Sequence, residues 1–93
     1  MRVAIVEDMD ENTAILQTYL ERYGKEHDIM IQTASYKDGM SFVTGYRATW
    51  DLILLDIEMP NLNGMDTARQ IRKADPDILI VFITCLTQYA IEG

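Results

Sequence analysis

Apolar positions along this chain follow two alternating rhythms. Val3 to Val6 is a short run rich in β-branched residues, which predicts a buried strand. It stops at Glu7-Asp8. Ile15, Leu16, Tyr19, Leu20 and Tyr23 then recur at helical spacing, with Asp10 or Asn12 placed to cap the start and Gly24 to follow the end. Asp28 to Ala34 alternates Ile29, Ile31 and Thr33 against Met30 and Gln32, as a strand near a sheet edge does. In "SYKD", Ser35 to Asp38, a hydroxyl precedes an acid by three residues, the pattern of a helix start. Met40, Val43 and Tyr46-Arg47 continue that helix, and Gly39 and Gly45 weaken it. Leu52 to Leu55 reads as a third strand, apolar on both faces. Pro60 to Gly64 is a loop. Met65, Ala68, Ile71 and Arg72 mark a third helix, which Pro76 separates from a fourth strand, Ile78 to Ile83. "TCLTQYAIEG" begins a helix that stops almost as soon as it starts.

Strands alternating with helices predict a parallel α/β sheet. Three of the strands lack clear alternation, the mark of strands covered on both faces. No linker, repeat or low-complexity segment divides the chain, so residues 1–93 read as one domain.

Composition narrows the function classes. Fifteen acids oppose eight basic residues, a net charge of −7. That balance argues against a grip on a nucleic acid backbone, which needs clustered Lys and Arg. Cys85 is the only cysteine, so no internal disulfide can form and a reduced, cytoplasmic setting is expected. The longest apolar run, Ile78 to Ile83, is too short to span a bilayer. A soluble cytoplasmic domain without membrane contact is expected. His27 sits in a polar turn and reads as surface, and the methionines at helical spacing read as core.

The chemistry gathers at the predicted strand ends. In an open parallel α/β sheet the site lies outside the carboxyl ends of the strands. Strand one ends in Glu7-Asp8, strand three in Asp56 with Glu58 two residues on, and strand four in Thr84-Cys85. Each has an ordinary reading: loop acids favoured by a helix dipole, a turn former, a helix cap, a small packed residue. Their joint placement points elsewhere. If strands one and three are neighbours, Glu7, Asp8 and Asp56 converge, and such crowding of like charge is relieved by a hard divalent cation. A carboxylate can also be the nucleophile that forms an aspartyl-phosphate, and the Thr84 hydroxyl is placed to donate to a phosphoryl oxygen. Two weaker motifs fail. "DMDENT" starts like a calcium loop but has Thr13 where glycine is needed and Tyr19 where the closing Glu belongs. "LLDIEMP" lacks the Gly-Thr of aspartate-nucleophile phosphatases.

With these residues in hand, the chain resembles the receiver domain of two-component response regulators over its whole length. Glu7-Asp8 match the family's Mg²⁺-binding acids, "DLILLDIEMPNLNGMD" resembles its phosphoacceptor strand and loop, and "VFIT" places Thr84 at its switch hydroxyl. "ITCLTQYAIEG" further resembles regulators with a LytTR-type DNA-binding output. The resemblance implies a flavodoxin-like, doubly wound parallel sheet of strand order 2-1-3-4. It implies that a sensor histidine kinase passes a phosphoryl group to Asp56, after which Thr84 turns toward that group. Mg²⁺ would be held by Asp8, Asp56 and the backbone carbonyl of Glu58, with Glu7 acting through water. Glu58 and Leu86 would tune the lifetime of the phosphoryl group.

The chain also departs from the family pattern, which has five βα units. Here the fifth unit and most of the fourth helix are missing, and with them a lysine that Lys25, Lys37 and Lys73 do not replace. Strand four is then expected to be an open, apolar edge that pairs with a second copy, giving a homodimer through strand four or helix four. The DNA-binding output is expected in the parent protein and not in this chain, which should not bind nucleic acid directly. Two functions follow: a phosphoryl-accepting signalling domain, or a receiver scaffold that no longer accepts phosphate and works by dimerising. The acid cluster favours the first and the missing lysine the second. A metal-dependent phosphohydrolase, which would be a turnover enzyme, would need a further general base near Asp56, and the sequence offers none.

Overall fold

The computed structural model describes residues 1–59 and 62–83. Four parallel strands form one sheet: β1 (Arg2–Val6), β2 (Gln32–Tyr36), β3 (Leu52–Asp56) and β4 (Leu79–Ile83). Their order is β2-β1-β3-β4, as expected for a doubly wound flavodoxin-like sheet. Helix α1 (Asp10–His27) joins β1 to β2, α2 (Gly39–Val43) joins β2 to β3, and α3 (Gly64–Ala74) joins β3 to β4.

The two central strands are buried on both faces, which explains their unbroken apolar runs. On one face Val3, Ile5 and Leu54 pack with Leu16 of α1. On the other, Ala4, Val6, Ile53 and Leu55 pack with Phe42 of α2 and Ala68 and Ile71 of α3. Burial of these side chains contributes about 1.5–3 kcal/mol each before chain entropy is counted. An aromatic cluster extends the second core. Tyr36, Tyr46 and Trp50 surround Phe42, with the Phe42 and Tyr46 ring centroids 5.5 Å apart and nearly perpendicular. The Tyr46 hydroxyl donates to Asp75 Oδ2 (2.9 Å), and burial together with that bond pushes the phenol well above its ordinary pKa.

Several element boundaries differ from the sequence reading, each for a physical reason. Helix α1 does not end at Gly24 but runs to His27, and Asp28 turns the chain in the left-handed region (φ 53°). Gly24 is there for close approach: a Cβ would lie 2.7 Å from the Ile29 carbonyl oxygen, whose own N–H donates back to Gly24. Neither Asp10 nor Asn12 caps α1. Met9 holds that position without a side-chain bond, and Asn12 is buried inside the first turns.

Strand β2 starts at Gln32, not Asp28, and takes in Ser35 and Tyr36. Helix α2 is accordingly capped by Asp38, which accepts from the Ser41 N–H (2.7 Å), and ends at Val43. Those bonds hold the Asp38 carboxyl below its ordinary range. Asn63, read as loop, caps α3 by accepting from the Asp66 N–H (2.9 Å). Met40 and Met65 are exposed, not core, and Met59 is the buried methionine among the described residues. His27 lies on the surface as expected, beside the Tyr23 ring. The apolar strand β4 is less covered than its composition suggests. Leu79 is 60% exposed, and Val81 and Phe82 are exposed as well, and β4 is an edge strand that pairs with β3 alone among the described residues.

Candidate functional site

The register of the sheet brings the acids together. Val6 of β1 stands opposite Leu55 of β3, so the next residue on each strand, Glu7 and Asp56, meets at the carboxyl edge. Four consecutive buried residues precede Glu7, and three precede the buried Asp56. The packing of those side chains on both faces fixes where the carboxylates emerge. Carboxylate oxygens of Glu7, Asp8 and Asp56 all lie within 4.8 Å of one another. Glu7 is 2% exposed and Asp56 5% exposed, while Asp8 opens to solvent.

Few donors compensate this charge. The Met9 N–H donates to Glu7 Oε1 (3.0 Å), and the Glu58 N–H donates to Asp56 Oδ1 (3.2 Å). Glu7 Oε2 is buried without a hydrogen-bond partner. Burial is the main reason the Glu7 carboxyl is pushed up to about 7, with Asp8 and Asp56 adding to the rise and the Met9 N–H opposing it. Burial likewise raises Asp56, against the pull of the Glu58 N–H. Two neighbouring carboxylates out of water resist double ionisation, so the second proton leaves the pair less readily than it would leave an isolated carboxyl.

The donor set fits a hard divalent cation. It consists of oxygens only, two of the three carboxylates are desolvated, and one buried oxygen lacks any donor. Among the described residues this is the one cluster of three or more potential ligands. A cation entering here competes with the proton on Glu7, so the apparent dissociation constant for a divalent cation should fall by up to roughly tenfold per pH unit to about pH 7, then level off. Isothermal titration across that range checks this, and Glu7→Gln should flatten the profile.

The same shift has a sign for stability without metal. A carboxyl raised from 4.5 to about 7 binds its proton more tightly folded than unfolded. The contribution of this group to stability is therefore fully present below the unfolded value and is lost as pH rises through that window. Metal-free melts should show the decline, and Mg²⁺ should offset it at the alkaline end.

Of the sequence-derived candidates, Glu7, Asp8 and Asp56 converge, and Glu58 sits beside them through its backbone. Thr84, Cys85 and Leu86 lie outside the described residues. Two residues at the site went unread in the sequence as site residues. Asn12, 1% exposed, brings its amide against Glu7 and tempers the rise of that carboxyl. Gly64 packs on the backbone of Asp56 and Ile57. Asn12 lies five residues beyond Glu7, at a helical position facing back to the strand end, and that spacing was the available signal.

A doubly wound α/β domain with an acidic site at the carboxyl edge of its central strands is the class these observations define. The family model of the response regulator receiver domain matches residues 3–92, and the chain belongs to that family. The response regulator SaeR of Staphylococcus aureus is 32% identical over 84 residues, covering 90% of this chain and 34% of SaeR. The autoinducer 1 sensor kinase/phosphatase LuxN of Vibrio campbellii is 31% identical over 83 residues, covering 88% of this chain and 9% of LuxN. The chain thus spans about a third or less of these relatives. Among solved structures, the response regulator TrrA of Thermotoga maritima in complex with Mg²⁺-BeF superposes with a TM-score of 0.73 at 26% identity, over 98% of this chain and 75% of that one. A complex of histidine kinase ThkA with TrrA matches at 30% identity and TM-score 0.71, over 90% of this chain and 68% of that one. No helix among the described residues is long and apolar enough to cross a membrane.

Proposed function

We propose that this domain is the phosphoryl-accepting receiver of a two-component response regulator, with Asp56 as the acceptor. The observation that carries the reading is the convergence of buried Asp56 with Glu7 and Asp8 at the edge where β1 and β3 end side by side. The donor is inferred to be a phosphohistidine of a sensor histidine kinase, and the ThkA–TrrA complex, a receiver-type neighbour bound to a kinase, supports that partner. In the transfer, an Asp56 carboxylate oxygen forms the new P–O bond as the P–N bond breaks. The electron pair of the broken bond stays on the imidazole, which takes up a proton.

Asp8, Asp56 and the Glu58 backbone carbonyl are the inferred Mg²⁺ ligands, with Glu7 acting through water. Mg²⁺ bound there would neutralise charge on the phosphoryl oxygens. Glu7 and Asp8 repel an incoming phosphoryl group unless a cation shields them, so acceptance should depend on divalent metal. Thr84 follows β4 directly in the chain, and its hydroxyl is the inferred partner of a phosphoryl oxygen. Glu58 and Leu86 are inferred to set the lifetime of the adduct. Acceptance is stoichiometric, a signalling event and not turnover. The receiver is inferred to govern a DNA-binding output in the cytoplasm.

The test is incubation of the purified chain with Mg²⁺ and a small phosphodonor, read by intact mass, with Asp56→Asn as control. A single Asp56-dependent phosphoryl adduct is expected. Its absence in the wild-type chain would refute acceptance.

A second reading, a dimerising module, rests on β4. Its exposed Leu79, Val81 and Phe82 lie on an edge strand among the described residues, and such edges pair with other chains. Sedimentation at high concentration should give a homodimer under this reading, and a persistent monomer counts against it.

A further inference from the structure

We infer that Gly64 is a positioning residue of the acid site, holding the Asp56–Glu58 backbone in place by allowing α3 to seat directly on it. The inference rests on the metal-binding reading of Glu7, Asp8 and Asp56 and extends it to a residue with no functional group of its own. A Cβ built on Gly64 would stand 2.7 Å from Ile57 Cα and closer still to the Asp56 carbonyl oxygen. Real Cβ atoms do not come so near backbone. Gly64 does not have positive φ, so close approach, not turn geometry, is what calls for glycine here.

The contact bears on the site because of what that backbone carries. The Gly64 N–H donates to the Ile57 carbonyl (3.0 Å), closing the loop after β3 onto its own start. The Glu58 N–H donates to Asp56 Oδ1 (3.2 Å) within that closed segment. Three consecutive residues thus hold the acceptor carboxylate and the carbonyl inferred to face the metal, and Gly64 closes them from behind.

The helix cannot easily retreat to make room for a methyl group. Its start is tied by Asn63 accepting from the Asp66 N–H and by the Thr67 hydroxyl donating to the Asn63 carbonyl (2.8 Å). Thr67 is fully buried against Gly39 of α2, where a Cβ would collide with the threonine hydroxyl oxygen. Ala68 and Ile71 sit in the core. At its other end the Arg72 guanidinium donates to the carbonyls of Pro76 and Ile78. A side chain at position 64 therefore strains the seat of α3 on the Asp56–Glu58 segment, which the Ile57 N–H ties to the Ile83 carbonyl (3.0 Å), and the strain reaches Asp56 and Glu58.

The experiment compares Gly64→Ala with Gly24→Ala, measuring melting temperature and Mg²⁺ affinity by calorimetry in the full 93-residue chain. Gly24 is a matched control, since its Cβ also meets a backbone oxygen but at the far end of α1. Both variants should melt lower than wild type while staying folded. Only Gly64→Ala should weaken Mg²⁺ binding, by about 10–100-fold, the range seen when groups supporting metal ligands are removed. Wild-type affinity in folded Gly64→Ala, or an equal loss in Gly24→Ala, overturns the inference. If Gly64→Ala does not fold, the wild-type chain is read by NMR instead: Mg²⁺ should shift the Gly64 and Glu58 amide resonances together and leave Gly24 unmoved, and an unmoved Gly64 amide overturns the inference. If wild type itself binds no Mg²⁺, the metal-site reading fails instead, so the two failures are distinguishable.

Discussion

Asp56→Asn should abolish phosphoryl acceptance while making the fold more stable. The carboxylate oxygen is the inferred nucleophile, and an amide in its place cannot form the acyl phosphate. The rate of adduct formation should fall by at least about 10³-fold, in line with removal of a covalent nucleophile elsewhere. Mg²⁺ affinity should fall with it, since an inferred oxygen ligand loses its charge. The stability change has the opposite sign. Asp56 and Glu7 are almost wholly buried, their oxygens lie within 4.8 Å, and burial raises both carboxyls above their ordinary range. Replacing one acid by a neutral isostere removes a like-charge repulsion that, among the described residues, the Met9 and Glu58 N–H groups offset only in part. Without metal, Asp56→Asn should gain about 1–2 kcal/mol at neutral pH, read as a higher midpoint in urea. The Glu58 N–H can still donate to the amide oxygen of the introduced asparagine, so the loop should keep its closure. A variant that lost both acceptance and stability would mean that Asp56 is a structural residue and that the acceptor lies elsewhere.

That opposition between function and stability is also why the site could be read before the fold was seen. A strand such as β3 has no packing reason to end its aliphatic run on an acid, so Asp56 was legible as an anomaly, and so were Glu7 and Asp8 after β1. The central strands were legible for a related reason: both faces of β1 and β3 meet core, and apolar runs record that. The edge strand β2 was not legible in its bounds. Its pairing with β1 is made by backbone groups, which any residue supplies, so Gln32 to Tyr36 carry little pattern. The alternating residues before them misled because Ile31 packs against the α1 face while Met30 points to water. Gly24 and Gly64 misled for another reason. Each was read as local punctuation, yet each is needed where a backbone segment comes close in space, at Ile29 for one and Asp56 for the other. No window of sequence reports that distance.

Ile53→Ala should come close to unfolding the domain, while Leu79→Ala, a change of similar size, should barely register. Ile53 is 0% exposed on the central strand β3, among Ala4, Val6, Leu55 and Ile71. Removing most of its side chain leaves a cavity that two packed layers cannot close, at a cost of about 3–4 kcal/mol. At the low end of the about 5–15 kcal/mol that holds a native domain folded this is most of the stability, and the melting temperature should drop by about 15–25 °C. Leu79 is 60% exposed on β4, so truncation removes little buried area and should cost under about 1 kcal/mol. The pair therefore measures how unequal the strands are. Paired thermal melts of the two variants against wild type provide the reading. A large loss from Leu79→Ala would mean that its face is covered in solution. The sedimentation experiment would then show whether a second copy covers it, because stability that comes from association rises with protein concentration. A small loss, independent of concentration, would leave β4 as an edge strand held by its pairing with β3 and the packing of Ile80 and Ile83 on the core, and the dimerising module would lose its support.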